Sequence, residues 1–324
     1  MQLAGRAACR TKGEPMTDIF IDGSSGTTGL QIRERLSSRT DIHLIEVPYE
    51  ERHSEAVRKE ALNSADIAFL CLPDDAAEVS ASLVENEHTV VIDTSTKHRT
   101  APGWVYGLPE LEGQRERIRN AKRIANPGCH ATGFITLVEP LVRAGILAKE
   151  TPLQCFSLTG YSGGGKKMIA QYEDDAREIL LDAPRMYGLT QNHKHLKEMK
   201  QISGLEKEPV FCPIVADYYS GMETVVPLFA DWIRGDMDQI KEVYRNVYTD
   251  GLIRFAEVNN ENGFCAGNAF AGRDDLEVSV EGNAERILLI ARFDNLGKGA
   301  CGAAIQNMNL VMGIPETTGL RTGG

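Results

Sequence analysis

Short apolar runs separated by more polar, helix-compatible stretches alternate through the first third of the chain. Asp18-Ile19-Phe20-Ile21-Asp22, Ile42-His43-Leu44-Ile45-Glu46-Val47, Asp66-Ile67-Ala68-Phe69-Leu70-Cys71-Leu72-Pro73 and Thr89-Val90-Val91-Ile92-Asp93 have the length and aliphatic content of strands in a parallel sheet. Leu30 to Leu36, after the first run, and Ala76 to Asn86, after the third, have helical character. Such alternation predicts an α/β fold built on a Rossmann-type, doubly wound parallel sheet, with ligands at the carboxyl ends of its strands.

The pattern changes near Asn126-Pro127-Gly128-Cys129. An apolar run through Phe134-Ile135-Thr136-Leu137-Val138 to Val142 predicts a helix whose first turn contains Cys129. Beyond it, strand-like runs at Cys155 to Thr159, Val210 to Ala216, Gly221 to Ala230, Leu276 to Glu281 and Arg286 to Asp294 suit a mixed or antiparallel sheet better than further βαβ units. Gly160 to Lys167 reads as a flexible loop with two cations, Asn192 to Met199 as a short exposed helix, and Thr317 to Gly324 as a frayed end. Asn295 to Leu310 reads as a glycine-bounded helix start followed by a long helix. The division expected is a dinucleotide-binding domain over 17–128, an α+β catalytic, substrate and oligomerisation domain over 129–298, and a helix over 299–316 returning to the first domain. Residues 1–16 read as a disordered extension.

Two stretches carry candidate chemistry. Gly23-Ser24-Ser25-Gly26-Thr27-Thr28-Gly29 joins the first strand to the first helix, where backbone N–H groups at a helix N-terminus receive a pyrophosphate; the spacing is G-x-x-G-x-x-G instead of G-x-G-x-x-G. At the end of the second strand, Glu46 suits a 2'-hydroxyl and hence NAD, whereas Arg52 and His53 suit a 2'-phosphate and hence NADP; the residues leave both open. Cys129, in the first turn of its helix, has unpaired N–H groups and the positive helix end beside it, which favour a thiolate of lowered pKa and a nucleophilic role.

Composition narrows the partners. The chain has 324 residues and a net charge of -11, which argues against an electrostatic nucleic-acid binder. No apolar run approaches the roughly 20 residues of a membrane span. Seven cysteines are scattered without a C-x-x-C pair or metal-ligand spacing, suggesting free thiols in a reducing cytoplasm and no metal. Met1 to Pro15 is basic and lacks an apolar core, unlike a secretory signal.

Taken in order, Gly23 to Gly29, Asn126 to Cys129, Ser162-Gly163-Gly164-Gly165, His193-Lys194-His195 and Asp294-Asn295-Leu296-Gly297-Lys298-Gly299-Ala300 resemble the N-acetyl-gamma-glutamyl-phosphate reductases in their shorter form (type 2), grouped with aspartate-semialdehyde dehydrogenase. The resemblance runs from about Thr17 to about Pro315. It implies NADP-dependent reduction of N-acetyl-glutamyl 5-phosphate to the 5-semialdehyde with release of phosphate, in arginine biosynthesis, by a cytoplasmic homo-oligomer (dimer or tetramer) that binds small molecules.

By the same resemblance Cys129 is the nucleophile that forms a thioester and His195 the acid/base, Glu198 standing one helical turn on, with His193 as the alternative. Gly23, Ser25, Gly26, Thr27, Thr28, Ser162, Gly163 and Asn295 would bind cofactor, and Arg99 and Asn126 substrate or phosphate. Lys298 would line the nicotinamide site. Apart from the resemblance, Lys166 in the glycine-rich segment is a candidate cation to hold phosphate or carboxylate with Arg99. Cys301 stands where a serine or alanine is more familiar, a possible oxidation liability near the cofactor. Two rival readings remain: aspartate-semialdehyde dehydrogenase, and an NADP-binding sensor that performs no reaction.

Overall fold

In the computed structural model, which describes residues 16–323, the chain builds two sheets, with a buried helix packed against the second. Strands β1 (Thr17–Asp22), β2 (Ile42–Leu44), β3 (Ile67–Leu70), β4 (Val90–Asp93), β5 (Val105–Tyr106) and β6 (Arg123–Ala125) form the first, all parallel, in the order β2-β1-β3-β4-β6-β5. Helices α1 (Thr27–Leu36), α2 (Glu55–Ser64), α3 (Asp74–Ser82) and α4 (Gln114–Arg119) connect them. β3 and β4 are buried along their whole length, as continuous aliphatic strands covered on both faces must be.

The second sheet holds β7 (Gln154–Gly160), β8 (Arg185–Met186), β9 (Val210–Ala216), β10 (Met222–Phe229), β11 (Ile253–Phe255), β12 (Leu276–Gly282) and β13 (Arg286–Phe293), in the order β11-β12-β13-β10-β7-β9-β8. β7 with β9 and β11 with β12 run parallel, and the other neighbours antiparallel. Helix α5 (Cys129–Arg143) lies against this sheet, its Phe134, Leu137, Val138 and Leu141 packed with Val226, Val278, Leu289 and Phe293. It is apolar nearly all round because it is buried nearly all round. Its first turn nevertheless meets the carboxyl ends of the first sheet, since Asn126, three residues earlier, continues from β6.

Helices α6 (Gly165–Tyr172), α7 (Leu196–Ser203) and α8 (Met237–Val247) flank the second sheet, and α9 (Gly302–Val311) returns to the first. Ala304, Ile305 and Met308 of α9 pack with Ile19, Ile21, Phe69 and Ile92, while Phe20, Ala68, Leu70 and Val91 meet Leu62 of α2 on the other face. Both faces of the parallel sheet are therefore covered.

Four expectations need correction. Asn192 to Met199 is not an exposed helix: α7 begins at Leu196, and its Leu196, Glu198, Met199 and Ser203 are buried against α5 and its surroundings. Gly160 to Lys167 is not a flexible loop: Gly160 ends β7, Tyr161–Gly164 form a 3-10 turn, and Gly165 starts α6. The tail is pinned: Asn309 Nδ2 donates to the carbonyls of Glu316 and Thr318, and Arg321 N donates to Asp274. Cys301 is fully buried, which removes the oxidation liability expected of it. The extension expected ahead of β1 falls, over residues 1–15, outside the described residues.

Candidate active site

The loop between β1 and α1 folds too tightly for side chains at its glycines. Gly23 has φ of 87°, where glycine is favoured, and a Cβ there would meet the Cys71 carbonyl oxygen at 2.3 Å. A Cβ on Gly29 would lie 2.4 Å from Gly23 O. α1 starts with Gly26 at its N-cap, without a side-chain cap or an acidic residue in the first turn. Its leading N–H groups thus have no side-chain acceptor and suit an anion.

A groove passes this loop in three adjoining parts. The first, about 780 Å³, is lined by Gly23, Ser25, Arg33, Glu46, Arg52 and Lys166 among others. The second, about 650 Å³, takes in Gly26, Thr27, Thr28, Thr94 and Lys194 and shares Leu72 and Pro73 with the first. The third, about 320 Å³, shares Thr27, Thr28, Thr94, Gly165 and Lys194 with the second and ends at Cys129. Asn126, Ser162, Gly163, His193, His195 and Asn295 also line it. Gly23, Ser25, Gly26, Thr27, Thr28, Ser162, Gly163, Asn295, Arg99, Asn126, Cys129 and His195 therefore border one continuous groove, whereas Lys166, expected beside Arg99, lines only its outer part. At its outer end Arg33 and Glu46 are paired at 2.8 Å, both exposed, and the Arg52 guanidinium stacks over Tyr49 at 3.4 Å.

The turn before Cys129 is crowded by functional groups. A Cβ on Gly128 would fall 2.3 Å from Arg99 Nη1, 2.4 Å from His195 Nε2 and 2.6 Å from Glu198 Oε1, so only glycine fits there. Gly299 is equally constrained, since a Cβ on it would approach the Cys129 Cβ at 2.9 Å. Glu198 is the hub: its Oε1 accepts from Arg99 Nη1 at 2.7 Å, and its Oε2 accepts from the Tyr106 hydroxyl at 2.8 Å and the Gly128 N–H at 3.2 Å. All three side chains are buried.

Arg99 and Asn126 line the cavity, yet their polar atoms are largely engaged within the protein. Arg99 Nε donates to Asn126 O at 3.0 Å, and Nη2 to Thr94 O at 3.1 Å, in addition to the Glu198 pair. Asn126 Nδ2 donates to Ala300 O at 3.0 Å, and its Oδ1 accepts from Asn307 Nδ2. On the opposite wall Asn295 Nδ2 donates to Ser162 Oγ at 3.0 Å, and its Oδ1 accepts from Gly221 N at 2.9 Å. Lys298 does not line the cavity. It is fully buried, with Nζ 2.8 Å from each Glu110 carboxylate oxygen, and so braces the turn before α9. Tyr106 and Glu110 gave no sign of these roles in the sequence.

Three imidazoles cluster beside the sulfur. His130 holds Ser157 Oγ with Nδ1 and the Tyr187 hydroxyl with Nε2, each at 2.7 Å. His193 Nδ1 accepts from the His195 backbone N–H at 3.2 Å, so the choice between the two falls on burial and engagement. His195 is buried, its Nδ1 has no partner among the described residues, and its Nε2 lies 3.9 Å from Glu198 Oε1. Burial, reinforced by the Arg99 charge, holds its pKa well below 6.5, so the ring is neutral at pH 7, with Nδ1 free to hydrogen-bond in the cavity.

The sulfur departs from the sequence expectation. Burial pushes the Cys129 thiol up to about 11, although the Arg99 guanidinium and the His130 backbone N–H pull the other way. The helix start alone does not ionise it; a proton acceptor must. We therefore predict that iodoacetamide alkylation of Cys129 rises about tenfold per pH unit from pH 7 to 9 without levelling, as the thiolate fraction does below its pKa. A plateau reached near neutrality would instead indicate a standing thiolate.

Among the described residues no group of His, Cys, Asp and Glu is arranged to hold a metal, and no helix is long and apolar enough to cross a membrane. Residues 129–295 match the family model described as semialdehyde dehydrogenase, dimerisation domain, and residues 46–121 that of the semialdehyde dehydrogenase NAD binding domain. A Nostoc sp. protein named N-acetyl-gamma-glutamyl-phosphate reductase 2 is 43% identical over 319 residues, covering 93% of this chain and 98% of its own. Aspartate semialdehyde dehydrogenase II of Vibrio cholerae, complexed with ASA, superposes with a TM-score of 0.67 at 16% identity, covering 92% of this chain and 98% of that one. The Candida albicans aspartate semialdehyde dehydrogenase with NADP does so with a TM-score of 0.62 at 13% identity, covering 92% and 99%. At these identities the two superpositions speak to the fold alone.

Proposed function

The chain belongs to the N-acetyl-gamma-glutamyl-phosphate reductase family, and from that premise we propose how its groove performs the reaction. N-acetyl-glutamyl 5-phosphate is reduced to N-acetyl-glutamate 5-semialdehyde with release of phosphate, a step of arginine biosynthesis that uses a nicotinamide cofactor. The observation that carries the mechanism is the meeting of Cys129 and a neutral, partly unpartnered His195 in one cavity at the inner end of a dinucleotide-sized groove.

The groove suits the cofactor. Gly23 to Thr28 would receive the pyrophosphate on uncapped helix N–H groups, and Ser162, Gly163 and Asn295 would border the nicotinamide. We assign NADP, supported by Arg33 and Arg52 at the outer end of the groove. When bound, the nicotinamide supplies a hydride to the acyl carbon.

Everything else falls to the chain's own residues. The Cys129 sulfur attacks the acyl carbon as His195 takes its proton; a C–S bond forms, the C–O bond to phosphate breaks, and a thioester remains. N–H groups at the start of α5 suit the oxyanion, where such donors contribute roughly 2.7–4 kcal/mol each. After reduction the tetrahedral oxyanion collapses to aldehyde, the thiolate leaves, and His195 returns the proton to sulfur. The match of the second domain to a dimerisation-domain model supports a homo-oligomer.

The reverse reaction tests the reading. N-acetyl-glutamate semialdehyde is expected to reduce NADP only when phosphate is present, and faster than NAD. Equal or greater kcat/KM with aspartate semialdehyde would move the assignment to the rival enzyme, and no turnover of either would favour the sensor.

A further inference from the structure

The reaction places a phosphate group against the carbon bonded to Cys129, and that anion needs a cation. Arg99, the arginine expected to supply it, has its guanidinium held on three sides by Glu198, the Asn126 carbonyl and the Thr94 carbonyl. A counterion that close, at 2.7 Å and buried, already balances its charge. Lys194 is in the opposite condition. It is exposed, lines both the reaction cavity and the adjoining part of the groove, and makes no salt bridge or side-chain hydrogen bond among the described residues. The nearby Asp74 carboxylate is turned to Thr96, which donates to it through both its backbone N–H and its hydroxyl. The same cavity holds the buried His195 Nδ1 that also lacks a partner.

The backbone around Lys194 is fixed by its neighbours, since Leu196 N donates to His193 O and His195 N to His193 Nδ1, while its side chain stays free of partners among the described residues. His193 and His195 face into the cluster with their ring centroids 4.7 Å apart, and the chain enters α7 immediately afterwards. The Lys194 charge is felt at Cys129, His193, His195 and Asp74, where in each case it lowers the pKa. Cys129, His193 and His195 surround the place where the acyl carbon, the leaving phosphate and the transferred proton would meet, and Asp74 lines the adjoining part of the groove.

We propose that Lys194 is the phosphate-binding cation of the reaction cavity, while Arg99 shapes the Cys129 turn through Glu198 and Asn126. The inference rests on the reaction given under Proposed function. An ammonium on a four-carbon stem can follow the phosphate as it departs, which a guanidinium held by three acceptors cannot do without breaking them.

The test follows semialdehyde oxidation with varied inorganic phosphate in the wild type, Lys194→Gln and Lys194→Arg. Lys194→Gln is expected to raise the phosphate KM about tenfold to a hundredfold, the range for losing one charge-assisted contact. The semialdehyde KM should stay within about twofold, and Lys194→Arg should recover most of the loss. Protection of Cys129 from iodoacetamide by inorganic phosphate gives a readout independent of turnover, and its midpoint should shift by the same factor in Lys194→Gln. An unchanged phosphate KM and midpoint, or an equal rise in the semialdehyde KM, overturns the proposal. Oxidation that needs no phosphate in the wild type overturns the reaction itself and the inference with it.

Discussion

Cys129→Ser is expected to lower turnover by roughly 10⁴-fold or more, in line with the loss of a nucleophile in covalent catalysis, while the affinity for NADPH stays within about twofold. The exchange keeps the size of the side chain, so the close approach of Gly299 and the start of α5 are undisturbed. What changes is the acid. A serine hydroxyl ionises far less readily than a thiol, and a neutral His195 that can take a proton from a thiol is a poor base for an alcohol. Alkoxide is also the worse leaving group when the hemiacetal collapses. Nucleotide affinity is read by quenching of intrinsic fluorescence, and turnover by phosphate-dependent oxidation of the semialdehyde. Activity within tenfold of wild type would end the thioester mechanism, and loss of nucleotide binding alongside turnover would give Cys129 a packing role.

The thiol also shows how far a local argument reaches. Cys129 at the start of α5 was legible from the apolar run that follows it, and so was the lowering effect of helix N–H groups. The burial that outweighs them was not, because it comes from walls contributed by the segment leading into α7, the turn before α9 and the loop after β4. The fully buried β3 and β4 were readable for the opposite reason: a strand covered on both faces writes its environment into its own composition. β5, β6 and β8 are two or three residues long and leave no period to detect. α8 carries a local signal, the capping box of Asp236 with Gln239.

Charged residues account for the remaining misreadings. Lys194, Lys197 and Lys200 make the segment around α7 look solvated, yet Leu196, Met199 and Ser203 share its buried side with Glu198. Glu198 belongs inside only because of partners far away in sequence, Arg99 and Tyr106, and Lys298 only because of Glu110. Neither pairing has a local pattern. Each residue stands beside a motif, and for Lys298 that neighbourhood suggests a ligand to hold where the fold supplies the Glu110 carboxylate.

Glu198→Gln is expected to cut kcat about a hundredfold with the semialdehyde KM within about threefold, and to lower stability by roughly 3–5 kcal/mol, the penalty for breaking a buried ion pair. The carboxylate receives donors on both oxygens: Arg99 on one, the Tyr106 hydroxyl and the Gly128 N–H on the other. A carboxamide keeps one acceptor oxygen and puts an NH₂ where the second stood. Whichever way it turns, a donor faces a donor, and the buried Arg99 loses its counterion. The kinetic effect follows from Gly128, whose N–H Glu198 holds one residue before the sulfur. A shift near 1 Å in a reacting atom is enough for roughly a hundredfold loss of rate. Differential scanning calorimetry gives the stability term, and assays well below the lowered Tm keep it apart from the rate. A folded Glu198→Gln enzyme with kcat within twofold of wild type would show that Glu198 merely neutralises Arg99 and does not set the position of Cys129.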